Sequence, residues 1–203
     1  EALIGEHPEY AQGYQNRLRI GGVKIFLDGS PQGRTAWMSE PYLGADSQYC
    51  GYPVYTDDQV DAFIDEAMGH HWQLLTHCNG DAAAEQLIRC TQRQQARHPE
   101  AAALRPVMIH AQLVRRDQLP RMKALNMTAS FFTAHCWYLG DIHLRNFGQL
   151  RGGNISPMRW AIDEGLNVTM HQDTPVIMPN MLESVECACR RVTKGGQALN
   201  PEL

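Results

Sequence analysis

The apolar runs of this chain are short, and four of them stop at a polar side chain. Trp72-Gln-Leu-Leu-Thr-His77 ends in a histidine, turns through Asn79-Gly80 and passes into a helical pattern from Asp81 to about Arg97. Val107-Met-Ile-His110 ends in a second histidine. Val168-Thr-Met-His-Gln-Asp173 ends in an aspartate before Thr174-Pro175, and Val23-Lys-Ile-Phe-Leu-Asp28 in another before Gly29-Ser30. The first of these reads as strand, turn and helix, and the other three share its polar strand end. In parallel α/β proteins the carboxyl ends of the strands are where the chemistry collects.

The elements follow from the periodicity. Strands are predicted over 22–28, 72–77, 106–110, 127–133 and 167–172, each a short run bounded by turn residues. Helices are predicted over 57–69, from Asp81 to about Arg97, around Asp117–Leu125, over 156–164 and over about 180–193. Thr56-Asp57-Asp58 caps the first of these, and Val60, Phe63, Ile64 and Ala67 sit at its helical spacing. Residues 1–19 are a polar leader with a short helix at most. The Gly-, Pro- and Tyr-rich stretch 29–56 reads as a lid or substrate loop, and 134–154 as an irregular segment rich in aromatics, His and Gly. A repeated strand–loop–helix order without hairpin signals predicts a parallel sheet of about five strands.

Alternation within the strands sorts the side chains by face. Val23, Ile25 and Leu27 point one way, Lys24, Phe26 and Asp28 the other. The same rule groups Gln73, Leu75 and His77, then Met108 with His110, then Thr169, His171 and Asp173. If these faces all look inward, Lys24, His77, His110 and Asp173 meet at one rim. Two neutral imidazoles and a carboxylate suit a zinc-like divalent ion with an open position for water. Such an ion lowers the pKa of water and polarises a carbonyl, while a neighbouring carboxylate serves as general base.

Composition narrows the partners. The 203 residues are 43% hydrophobic and 20% charged, with a net charge of -4 and no long basic run. Neither nucleic acid nor a membrane is therefore expected as a partner. Six cysteines without a CxxC pair point to a reduced, cytoplasmic protein. Cys187 and Cys189, two apart on a helix, do not share a face.

The runs Val23-Lys-Ile-Phe-Leu-Asp-Gly-Ser30, Thr76-His-Cys-Asn-Gly-Asp81, Ile109-His-Ala-Gln-Leu-Val114 and His171-Gln-Asp-Thr-Pro-Val176 resemble, in order and spacing, the metal-dependent amidohydrolases. The branch they look like is the family-3 amidohydrolases, which include the N-substituted formamide deformylases. The resemblance implies a (β/α)₈ TIM-type barrel, here an incomplete one running from strand four to strand eight over residues 20–203 as one partial domain. It also implies one or two divalent metals, zinc in the first instance. His77 and His110 become metal ligands, Asp173 both ligand and catalytic base, and Lys24 the residue that can be carboxylated to bridge two ions. Asp28 and His135 become substrate contacts. The implied activity is hydrolysis of a non-peptide, formamide-like C–N bond in a small amide.

Two departures from the family pattern are plain: no HxH pair occurs anywhere in the sequence, and His171 stands where a smaller residue is expected before the aspartate. With a glutamate as first residue, the chain is expected to be a partial one. The alternative expectation is a non-catalytic partial barrel that self-associates through an open sheet edge. Taken singly, a strand-end histidine is more often structural than a ligand, and Lys24 can simply snorkel to the rim. Asp28 can serve as a turn former and Asp81 as a helix N-cap. His70 and His71 suit a helix C-terminus, while His7, His98 and His143 read as surface residues. A nucleotide-binding doubly wound fold lacks its Gly-rich phosphate loop.

Overall fold

The computed structural model describes residues 5–46 and 48–203, so the first four residues of the leader and Ser47 lie outside the described residues. Among the described residues five strands form one parallel sheet in sequential order. They are β1 (Gly22–Phe26), β2 (Gln73–Cys78), β3 (Val107–His110), β4 (Thr128–Phe131) and β5 (Asn167–Met170). Short helix α1 (Pro8–Gln12) precedes them. The crossovers carry α2 (Asp57–Gly69), α3 (Asp81–Arg97), α4 (Leu119–Ala124), α5 (His135–Gly152) and α6 (Met158–Asp163), and α7 (Met181–Arg190) follows β5.

Burial alternates along the strands as a sheet covered on one face requires. Leu74, Met108 and Ala129 join Val60, Ile64, Leu87, Ile88 and Met122 of the helices in one core, against which Val23, Ile25 and Val168 pack. Lys24, Gln73, Leu75, Val107, Ile109, Thr128, Ser130 and Thr169 line the other face, which is open. Helices on one face only make an arc of a β/α barrel and not a doubly wound sheet. No helix among the described residues is long and apolar enough to cross a membrane.

Helix starts follow local chemistry. The Thr56 hydroxyl accepts from the Gln59 amide while the Gln59 side chain accepts from the Thr56 amide, a reciprocal cap on α2. The residue capping α3 is Gly80, not Asp81. A Cβ on Gly80 would overlap the Trp37 carbonyl, and that carbonyl takes the Ala82 amide of the first helical turn at 3.2 Å. Asp81, buried, instead accepts from the Ser39 amide and hydroxyl and from Arg115.

Two segments differ from expectation. Residues 134–154 are not irregular: α5 occupies 135–152, broken only at Gly148, where φ is +71°. Its buried stripe is made of His135, Cys136, Gly140, His143, Asn146 and Phe147. The spacing is helical, but the stripe is polar and small where an aliphatic one would have announced itself. The second is the expected lid. Ala36, Met38 and Tyr42 pack with Leu113, Cys136, Phe147 and Ile155 in a core of their own. Arg34 donates to the Asn146 side chain at 3.0 Å, and Arg151 donates to the carbonyls of Glu40 and Pro41. The stretch is a packed layer over the strand ends.

Candidate metal centre

At the carboxyl end of the sheet the rings of His77 and His110 face each other, with Nδ1 of the first 3.1 Å from Nε2 of the second. The two positions arrive there differently. His77 ends β2 in phase with Gln73 and Leu75, as alternation predicts. Met108, however, lies in the helix-side core, so alternation alone would send His110 there with it. The backbone breaks the pattern: His110 has φ +73° and Ala111 φ +45°. This left-handed pair turns the imidazole out of the helix-side layer towards His77. Non-glycine residues in this region are held there by their surroundings and cluster at functional sites.

The remaining ring nitrogens have partners. His77 Nε2 lies 3.2 Å from the Gly29 carbonyl and 3.1 Å from the Asn79 side-chain nitrogen. His110 Nδ1 lies 3.2 Å from His171 Nε2, and His171 Nδ1 lies 2.9 Å from the Ser130 hydroxyl. Neutral imidazoles can complete this chain if His110 donates to His171 and His171 donates to Ser130. Nε2 of His110 then carries a bare lone pair. With His77 donating from Nε2 to the Gly29 carbonyl, its Nδ1 is bare as well. Two lone pairs would then face one another, an arrangement that a cation between them relieves. Bonds of about 2.0–2.1 Å to a tetrahedral ion such as zinc place two imidazole nitrogens roughly 3.3–3.4 Å apart, a few tenths of an ångström beyond the observed 3.1 Å.

Electrostatics keep these rings neutral. Burial holds the His77 imidazole below its ordinary range, opposed by the Gly29 hydrogen bond, and burial likewise lowers His171. His110 is pushed down to about 2 by burial and then by the neighbouring charges of His77, His171 and Lys24. Burial drives His135 well down and brings His143 to about 4. Neutral imidazole is the form that ligates metal.

Asp28 is not the substrate contact expected of it. Its carboxylate accepts from the amides of Asn79 (3.0 Å), Gly80 (2.7 Å) and Trp37 (3.0 Å), and the residue is only 2% exposed. Burial pushes it up to about 7 against the pull of those three amides. It ties β1 to the β2–α3 turn and so fixes the strand end that carries His77, whose Nε2 is 3.7 Å away.

Lys24 and Asp173 line the open face together with His171 and Ser130. Both are exposed, and among the described residues neither side chain forms an ion pair or a hydrogen bond. Asp173 stands in a left-handed conformation, φ +51°. The structure thus joins His77 to His110 and leaves the other two expected ligands on the rim; among the described residues no three His, Cys, Asp or Glu side chains are grouped to hold an ion. His135 begins α5, 6% exposed, with its ring centroid 5.8 Å from that of His110. His143, read as a surface residue, is fully buried, with Nε2 2.8 Å from the Gln112 side chain. Its spacing of eight from His135, two helical turns, was the available signal. Ser130 and His171 also escaped notice as a pair, although β4 and β5 are neighbours.

Comparison with known proteins bears on the family and the fold. The model of the amidohydrolase family matches residues 3–202. The chain is 30% identical over 178 residues to YtcJ of Bacillus subtilis (strain 168), a match covering 86% of this chain and 32% of that protein. It is 26% identical over 176 residues to LONG AFTER FAR-RED 3 of Arabidopsis thaliana, covering 86% and 30% respectively. The chain therefore spans about a third of the length of the curated relatives it matches. The crystal structure of an uncharacterized metal-dependent hydrolase from Pyrococcus furiosus superposes with a TM-score of 0.78 at 26% identity, over 94% of this chain and 39% of that one. Its counterpart from Pyrococcus horikoshii OT3 gives 0.79 at 24%, over 96% and 38%, a likeness of fold. With five β/α units in barrel order and a family match along almost its whole length, the chain belongs to the amidohydrolase family.

Proposed function

We propose that this chain carries the imidazole half of a divalent-metal hydrolase site acting on amide-type, formamide-like C–N bonds that are not peptide bonds. One observation carries the proposal: His77 Nδ1 and His110 Nε2 face each other at 3.1 Å with partners on their far nitrogens. Family membership and the metal-dependent hydrolase from Pyrococcus furiosus support it. His77 and His110 would hold the ion, zinc by its preference for imidazole nitrogen. Asp173 completes the donor set from the rim, with Lys24 as a further donor where it is carboxylated. A bound ion supplies Lewis acidity and an acidified water.

The rest is work for this chain's own side chains. Asp173 takes a proton from the attacking water as its oxygen bonds to the amide carbon. The same carboxyl then returns that proton to the departing nitrogen as the C–N bond breaks, leaving a carboxylic acid and an amine. Its exposed place on the open face gives it access to both oxygen and nitrogen. His171 and Ser130 hold the ring of His110 in one orientation, and Asp28 holds the strand end of His77.

Elemental analysis of the purified intact protein tests the proposal. Wild type should carry stoichiometric divalent metal, and His77→Ala/His110→Ala should lose it. A wild type that takes up no metal from excess zinc would end the proposal. Activity is checked by amine release from small formamides. A second reading, self-association without catalysis, is favoured by the two open sheet edges at β1 and β5. Light scattering that finds a monomer at all concentrations would remove it.

A further inference from the structure

Between the start of α5 and the segment leading into α7 lies a cleft of about 550 Å³ that the imidazole pair does not use. Its walls include Phe132, Leu139, Val176, Ile177, Met178 and Pro179. That volume falls within the usual range for small-molecule sites, and such sites are mainly apolar with a few polar groups to fix orientation. Most of the polar side chains here are already satisfied: Tyr138 donates to Glu183 at 2.5 Å, and Asn180 caps α7 by accepting from the Glu183 amide. His135 is the exception. It lines the cleft, is 6% exposed, and its Nδ1 is buried without a partner among the described residues.

The wall that His135 and Phe132 build is shared with the candidate metal centre. Their ring centroids are 4.2 Å apart, His135 is 5.8 Å from His110, and Phe132 is 5.7 Å from His171. A molecule whose reacting carbonyl sits at the His77–His110 pair therefore has this cleft as its next-door space. An unpartnered buried polar atom is costly, a penalty that a hydrogen-bonding group on the ligand would remove.

We infer that this cleft receives a bulky apolar substituent, aromatic in size, of the amide substrate, with His135 hydrogen-bonding the amide group that carries the substituent. The inference rests on the hydrolase assignment for the position of the carbonyl, and it sets the substrate class: amides with a large apolar arm and not the small polar ones. Val176 and Met178 form the mouth, being 61% and 78% exposed. Substitutions there do not disturb a core.

Ligand-observed fluorine NMR on the intact, zinc-loaded protein tests this with three probes: 4-fluorotoluene, N-(4-fluorobenzyl)acetamide and 2-fluoroacetamide. The benzyl amide should bind at least about tenfold more tightly than the small amide, the order of effect an apolar pocket gives. Met178→Asp should weaken both aromatic probes about tenfold, whereas Leu150→Asp, 86% exposed near the opposite end of α5, should not. His135→Phe should weaken the benzyl amide and leave 4-fluorotoluene unchanged. The cleft assignment fails if 4-fluorotoluene shows no saturable binding, or if Leu150→Asp acts like Met178→Asp. Amine release, followed separately, judges the chemistry. Saturable aromatic binding without cleavage of any amide removes the hydrolase reading and leaves an apolar ligand site. Cleavage without aromatic binding removes the cleft alone.

Discussion

The two halves of the candidate centre are built to different standards. His77 and His110 sit at strand ends with their outer nitrogens engaged by the Gly29 carbonyl and by His171, and Asp28 pins the turn beside them through three amides. Lys24 and Asp173 lie on the open face, exposed, with no ion pair among the described residues. Ligands gain from fixed orientation, since an ion rewards geometry already in place. A general base gains from access to water and from freedom to change protonation state. The contrast matches a division of labour between holding and proton transfer.

Four experiments press on that contrast. Asp173→Asn in the intact enzyme should cut turnover by about 10²–10⁴-fold while leaving the melting temperature of the metal-free protein near wild type; near-normal turnover would remove Asp173 from the chemistry. Asp28→Asn should act on the held half through stability. Its amide NH₂ would face N–H donors, costing about 2–3 kcal/mol in urea unfolding, whereas Asp173→Asn should cost almost nothing there. His171→Phe and Ser130→Ala should each weaken zinc binding by about 10–100-fold, read by competition with a chromophoric chelator. Nitrogen NMR of the histidine rings adds a second readout: wild type should show His110 protonated on Nδ1, and an Nε2 proton there would overturn the chain of donors.

The smallest effect lies outside both halves. Burial raises the Asp57 carboxyl, but hydrogen bonds from Arg89 and Gln86 outweigh it, and the balance lies below its ordinary 3.8. Glu85 likewise lies below its ordinary 4.5, burial being outweighed by Arg121 and Gln118. A lowered folded-state value means a stabilisation that is complete above the unfolded carboxylate range. It disappears as pH falls through the lower folded values. Asp57→Asn and Glu85→Gln should therefore lower the melting temperature slightly at pH 7 and converge on wild type as pH falls below about 4.5, flattening the acid limb of the profile. An unchanged acid limb would show these surface pairs to be energetically silent.

What the sequence by itself determined was local. Period-two runs located all five strands, and helical spacing with caps at Thr56 and before Pro99 located α2 and α3 at their observed bounds. Strand ends marked His77, His110 and Asp173, because a polar residue closing an apolar run is visible in a window of six residues. What only the tertiary structure decided involves partners far apart in the chain. His110 meets His171 across 61 positions, and Arg34 meets Asn146 across 112. The left-handed turn at His110 reverses the face that alternation assigns. Asp28 changed from a substrate contact to an anchor because its three donors come from two other segments. The α5 stripe was hidden because its inward residues are His, Gly and Asn, buried by what packs on them and not by their own hydrophobicity. Periodicity is a property of neighbours along the chain. Convergence is a property of neighbours in space, and only folding sets it.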